Sequence, residues 1–322
     1  MRLAAVAIVG PTASGKTRLA CALADRVRCH LVSCDALQVY RDLRVATEKP
    51  RGDDARHPWA LVDVVEPDRD VNLGAWVRAA DAELRWAASA GRLPLLVGGT
   101  GLYLRGLAKG VAEAPPRDPA LRARLAGLLE RRGSGFLHRV LRRIDPAGAA
   151  RLRPGDRQRL VRALEVRLLS GRSLAELQAR GWAGPDRFPL LRIGLALGRQ
   201  ELAARIDARV ARYPDAGLVP EVEWLTGARG VPREANSLRA LGYRETLGWL
   251  SRPAAERRVE DLVAEIQANT RRYAKRQMTW FRSEPTTWLD AGDPRLVERT
   301  LDLVDDWRRG LDPGDRGPAA AL

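Results

Sequence analysis

A chain of 322 residues with 45% hydrophobic content has room for one substantial α/β core and a smaller second domain. No apolar run approaches the ~20 residues needed to cross a bilayer, and 55 basic against 40 acidic side chains, a net +15, favour a polyanionic partner such as nucleic acid. The three cysteines, Cys21, Cys29 and Cys34, form no CxxC pair and leave one over in any pairing, which argues against structural disulfides and zinc. Arginine usage is itself biased, since the only lysines are Lys16, Lys49, Lys109 and Lys275. A preference between two basic residues does not, however, create an excess over Asp and Glu.

The first residues, MRLAAVAIVG, carry an apolar stretch of about seven residues that leads straight into a glycine loop with no separable cleavage site. That stretch reads as a first strand, and a cytoplasmic location is expected. TRLACALADRV follows as a helix, HLVSCD as a second strand and ALVDVVEP as a third. Asn72 caps a helix that runs through Ala90 and stops at Gly91. LPLLVGGTG is a buried strand, and GLYLRGLAKG opens another helix. Strands alternating with helices imply a parallel sheet with helices on both faces.

Pro115 and Pro116 interrupt this alternation. From about Asp118 to Arg180 the chain is arginine-rich and helical, without a strand. FPLLRIGLALG (188–198) returns to the sheet, followed by a helix carrying Arg205 and Arg209, a long helix from about Arg257 to Phe281, and TTWLD as a last strand. The expected architecture is a P-loop NTPase-like α/β core over 1–114 and 186–310 with an all-helical insertion over 115–185. The Gly/Pro/Ala-rich segment 311–322 is expected to be disordered.

GPTASGKT (Gly10, Pro11, Thr12, Ala13, Ser14, Gly15, Lys16, Thr17) fits G-x-x-x-x-G-K-[ST] at every position, between a strand and a helix. The glycines let successive N–H groups curl around an anion at a helix N-terminus. Lys16 reaches a terminal phosphate, and the Thr17 hydroxyl suits Mg²⁺. The loop reads phosphate rather than base, so by itself it signals a diphosphate more strongly than ATP. An NTPase would add a metal-binding aspartate after a later strand, but LPLLV ends in Gly98-Gly99-Thr100-Gly101. The nearest acid is Asp35, after HLVSCD, which would sit above the C-terminal edge of the sheet where α/β proteins bind ligands. It can serve a metal, act as a base, or simply cap the next helix.

With these residues in place, the chain resembles the tRNA dimethylallyltransferase (tRNA isopentenyl transferase) family, in its bacterial form. The resemblance runs through GPTASGKT, DALQVY (35–40), TEKP (47–50), GGTGLYL (98–104), GDRQRLVRALEV (155–166), SGRSL (170–174), ALGYRE (240–245) and TRRYAKRQMTWFR (270–282), in order and to about Trp288. Three positions depart from it: Ala36 stands for a serine, Ala46 for a glycine and Glu48 for an alanine. The family's reaction moves a dimethylallyl group from its diphosphate to N6 of adenosine 37 in tRNA, beside the anticodon. The resemblance then implies Asp35 as general base, Thr100 beside it, Arg205 facing the diphosphate, and Mg²⁺ on Thr17. It also implies tRNA contacts from Asp35, Gln38, Thr100, Arg122, Gln158, Arg159, Arg162 and the run Asn269, Thr270, Arg271, Arg272, Lys275 and Arg276. A monomer without zinc is expected. For most of these arginines the competing reading is a solvated helix face, and for GGTG a tight strand-to-helix turn.

Three other functions use part of the same features. A P-loop kinase or NTPase accounts for residues 10–17 and Asp35 but leaves GGTGLYL and TRRYAKRQMTWFR unexplained. An adenylate isopentenyltransferase acting on AMP or ADP shares the loop and the acid but has little need of +15. A non-enzymatic RNA-binding module explains charge alone.

Overall fold

The computed structural model describes residues 3–111 and 114–311. The segment 312–322, most of the expected disordered tail, lies outside the described residues. Strand β1 (Ala5–Val9) leads through the glycine loop into helix α1 (Lys16–Ala24), followed by β2 (Cys29–Ser33) and the short β3 (Trp59–Ala60). Helix α2 (Leu73–Ser89) starts at Asn72, whose side chain accepts from the Ala75 N–H at 2.9 Å, so the expected cap is present. Strand β4 (Leu93–Gly98) and helix α3 (Gly101–Lys109) complete the first half.

Four helices follow, α4 (Pro119–Ile144), α5 (Pro146–Ala150), α6 (Arg157–Ser170) and α7 (Leu174–Trp182), and α4 is broken at Gly133 by a non-helical φ of 75°. The chain then returns through β5 (Leu190–Ala196), α8 (Arg199–Ala211), α9 (Leu218–Thr226), α10 (Tyr243–Leu250), α11 (Val259–Arg282), β6 (Thr287–Asp290) and α12 (Leu296–Gly310). Two compact units result, Met1–Ala108 with Phe188–Leu322, and Lys109–Arg187. The helical unit thus starts at Lys109 and ends at Arg187, where the sequence suggested 115 and 185. No helix among the described residues is long and apolar enough to cross a membrane.

All strand pairs of the sheet are parallel, in the order β3-β2-β4-β1-β5-β6. β1 lies in the middle and is buried throughout, which explains why its sequence is continuously apolar. Its side chains alternate between two cores, with Ala5, Ala7 and Val9 on one face and Val6 and Ile8 on the other. The helical unit has its own core, centred on Leu137, Leu141, Leu160 and Leu164.

The expected third strand is corrected by the structure. ALVDVVEP supplies only Ala60 to β3, because Leu61 (φ 61°) and Asp63 (φ 54°) turn into the left-handed region. Asp63 is drawn to Lys49 Nζ at 2.6 Å, and its N–H donates to the Gln38 carbonyl. Val65 then forms an isolated bridge with Tyr40. Helix α12, which sequence patterning did not single out, packs Val304 and Leu301 into the second core.

Candidate active site

Strands β2, β4 and β1 are neighbours, so the loops that leave their C-terminal ends emerge side by side at one edge. These loops are Cys34-Asp35, Gly99-Thr100 and the glycine loop. Together with α8 and α11 they wall a cavity of about 260 Å³.

In the glycine loop, Ala13 (φ 66°) and Gly15 (φ 91°) take left-handed conformations, and Gly15 caps α1. This curl turns backbone N–H groups toward one point, as an anion cradle requires. Lys16 Nζ donates to the Pro11 carbonyl at 2.6 Å. Burial pushes its ammonium down to about 7, helped by the Arg209 charge and opposed by Asp35. Thr12, Lys16 and Thr17 all line the cavity.

Asp35 stands on the facing loop. Its Oδ1 accepts from the Leu37 N–H at 2.8 Å and from the Gln38 N–H at 3.4 Å. Burial raises its carboxyl above the ordinary carboxylate range, although those two donors and the Lys16 charge pull the other way. No helix follows Asp35: residues 36–39 form a turn, which the carboxylate caps while it also faces the cavity.

The GGTG turn is tight because three elements meet there. A Cβ on Gly98 would lie 2.1 Å from the Cys34 carbonyl oxygen, and one on Gly99 2.0 Å from Gln277 Nε2. Thr100 is not among the wall residues. Its Oγ1 accepts from the Ala36 N–H at 3.2 Å and shares a hydrogen bond with the Tyr273 hydroxyl, so it braces the backbone beside Asp35. The Ala36 departure leaves that backbone contact intact.

Arg205 requires correction as the arginine facing the loop. It donates to Glu201 Oε1 at 2.7 Å in an i,i+4 pair on α8, away from the cavity wall. The arginine that lines the cavity is Arg209, whose Nη1 donates to Thr12 Oγ1 at 3.0 Å. One helical turn, a rise of about 6 Å, separates the two. Gln38 does line the cavity, but its amide is already used. Oε1 accepts from Ser33 Oγ at 2.7 Å, and Nε2 donates to the carbonyls of Thr47 and Glu48.

Several wall residues come from α11 and its TRRYAKRQMTWFR run, where the sequence assigned no cavity role to Ile266, Thr270, Tyr273 or Gln277. Gln277 accepts from the Thr12 N–H at 2.8 Å and donates to the Gly99 carbonyl at 3.0 Å, which ties the two loops together. Tyr273, Thr270 and Ile266 line the wall from the same face of α11. Their spacing is helical, which the run TRRYAKRQ conceals among its charges.

The residues expected to face tRNA fall into two groups. In the helical unit, Arg122 and Arg162 both donate to the fully buried Glu165, at 3.0 and 2.7 Å, and Arg162 also reaches the Pro115 carbonyl. Both guanidiniums are thus held in place by the unit's own fold, and each stays partly exposed. Gln158 and Arg159 are exposed, with Arg159 3.4 Å from Asp156. On α11, Lys275 and Arg276 are exposed, and Arg276 lies over the Tyr273 ring at 5.6 Å. Asn269 donates to Glu245, Arg272 to Asn269, and Arg271 pairs with Asp207. Thr270 is buried and belongs to the cavity rather than to the outer face.

Among the described residues no group of three or more His, Cys, Asp or Glu side chains gathers to hold a metal ion. Thr17 and Asp35, two of the oxygen donors on this wall, suit a hard cation.

An anion cradle and a facing carboxylate, set on one edge of a parallel sheet with no acid after β4, define an α/β enzyme that acts on a phosphorylated small molecule. The chain belongs to the IPP transferase family, whose model matches residues 38–284, and the isopentenyl transferase model matches residues 3–57. It is 41% identical to the tRNA dimethylallyltransferase of Symbiobacterium thermophilum, covering 94% of each chain. It is also 41% identical to that of Solibacter usitatus, covering 93% of this chain and 97% of the relative. Among solved structures, the tRNA isopentenylpyrophosphate transferase of Bacillus halodurans matches with a TM-score of 0.70 and 32% identity, over 95% of this chain and 97% of that one. A eukaryotic dimethylallyltransferase acting on tRNA shares the fold, with a TM-score of 0.80 at 23% identity over 96% of this chain and 80% of that one.

Proposed function

We propose that this enzyme transfers the dimethylallyl group of dimethylallyl diphosphate to N6 of adenosine 37 in tRNA, as a cytoplasmic monomer, releasing diphosphate. One observation carries the reading: the glycine loop, Lys16 and Arg209 share a single cavity with Asp35. The bond from the allylic carbon to the diphosphate oxygen breaks as the bond to N6 forms. Negative charge grows on the leaving diphosphate, where the loop N–H groups, the Lys16 ammonium and the Arg209 guanidinium stabilise it. The N6 proton passes to Asp35, which relieves the positive charge forming on the amine. Thr17 would hold Mg²⁺, which would supply further neutralisation of the leaving group.

The target base must leave the anticodon stack to reach a cavity at the sheet edge, so base flipping accompanies binding. Exposed Lys275 and Arg276 on α11, with Gln158 and Arg159 on the helical unit, supply phosphate and stacking contacts of the kind single-stranded RNA loops need. A kinase reading is disfavoured, since no acid follows β4, where an NTPase would hold its metal.

The test is incubation with labelled dimethylallyl diphosphate and Mg²⁺, offering unmodified tRNA or AMP. Label is expected in tRNA. Label in AMP alone would replace this reading with adenylate prenylation, and label in neither acceptor would remove prenyl transfer altogether.

The lowered Lys16 value gives a second expectation. Diphosphate binds the ammonium form, so its affinity falls as pH rises above about 7, and binding there takes up a proton. Calorimetry in buffers of different ionisation enthalpy should show that uptake. Lys16→Ala carries the same titration of the ligand itself, and it should lack the added uptake. Equal proton uptake in both chains would contradict the role of Lys16.

A further inference from the structure

Glu48 places a negative charge in a cavity that otherwise gathers cations for an anion. Its backbone is held in the left-handed region, φ 50°, where the Gln38 amide donates to its carbonyl at 2.9 Å. The side chain lines the same wall as Lys16, Asp35 and Arg209. Its Oε2 lies 3.6 Å from Arg209 Nε, and the Tyr213 hydroxyl hydrogen-bonds to it. Arg209 therefore has two partners, the Thr12 hydroxyl on the glycine loop and the Glu48 carboxylate.

An ion pair with Glu48 39% exposed contributes little to stability. Gln38, through the backbone, is what anchors this segment. The consequence of the charge falls on the ligand instead. A diphosphate seated against Lys16 and Arg209 meets a like charge in the same cavity, and it must share that guanidinium with a carboxylate. Each feature weakens the bound anion without touching the prenyl carbon.

We propose that Glu48 is a positioning residue that holds Arg209 as its counter-ion and competes with diphosphate for it, so that the spent leaving group is released. This inference rests on the prenyl-transfer reading and adds to it a residue that governs product release. Glu48→Gln keeps the hydrogen-bonding shape and removes the charge. It is expected to tighten the binding of inorganic diphosphate on the order of tenfold, as loss of one nearby like charge predicts. Multiple-turnover prenylation should slow relative to the single-turnover rate, and diphosphate should become the stronger product inhibitor. Glu48→Asp, which keeps the charge, should bind diphosphate about as weakly as the unaltered chain.

Calorimetric titration with inorganic diphosphate, with and without Mg²⁺, decides the matter. Equal or weaker binding by Glu48→Gln would overturn the proposal. So would weakening seen only with Mg²⁺, which would make Glu48 a metal ligand. Failure of the prenyl-transfer reading would appear separately, as unaltered chain that binds diphosphate but prenylates no tRNA.

Discussion

Asp35→Asn is expected to slow prenyl transfer by a factor of ~10²–10⁴ while tRNA affinity stays close to that of the unaltered chain. Asparagine is nearly isosteric and can still accept from the Leu37 and Gln38 N–H groups through its Oδ1, so the turn after β2 survives. What disappears is the proton acceptor. Adenine N6 has its lone pair delocalised into the ring, and without a base it must carry positive charge as the new bond forms. Single-turnover rates with donor and tRNA in excess, set beside tRNA binding measured separately, distinguish the two effects. A large loss of tRNA affinity would make Asp35 a recognition residue instead.

The pH dependence follows from the same side chain. A base works only when ionised, and burial raises the Asp35 carboxyl above the ordinary carboxylate range. The acid limb of the single-turnover rate should therefore lie above that range, and Asp35→Asn should remove it. Lys16 acts in the opposite direction, because its ammonium is lost as pH rises through about 7. The kcat/KM for the donor, which reports the donor-free enzyme, is therefore expected to peak between a limb set by Asp35 and one set by Lys16.

Much of this site was legible in the sequence because its parts are local. The glycine loop announces itself by spacing, and Asp35 by following a buried strand. The fold was legible for the same reason, since apolar runs alternate with amphipathic ones and Pro115-Pro116 marks the change. What could not be read depends on distant partners. Gln277 meets the Thr12 N–H across 265 residues of sequence, and nothing in its own neighbourhood points there. The early end of β3 is imposed by Lys49 and Gln38 drawing Asp63 aside, a tertiary effect that overrides the strand propensity of LVDVV. Likewise the pairing of Arg122 and Arg162 with the buried Glu165 is a tertiary contact that the arginine-rich sequence around them does not single out.

The choice between Arg205 and Arg209 shows the same limit and yields the sharpest mutational test. Both lie in one helix, four residues apart, in a chain where arginine is the common basic residue, so type and periodicity do not separate them. The structure does, because Arg209 reaches Thr12 and lines the cavity while Arg205 pairs with Glu201. Arg209→Ala is expected to lower the single-turnover rate by about 10²–10³, the scale of losing one donor to charge that develops in the transition state. Arg205→Ala should leave that rate nearly unchanged, since a half-exposed i,i+4 pair is worth only ~0.3–0.5 kcal/mol. Arg209→Lys restores charge without the forked geometry, and should recover part of the loss. If Arg205→Ala proved the more damaging of the two, α8 would have to turn or slide on binding its ligands, and the diphosphate would sit nearer the start of that helix.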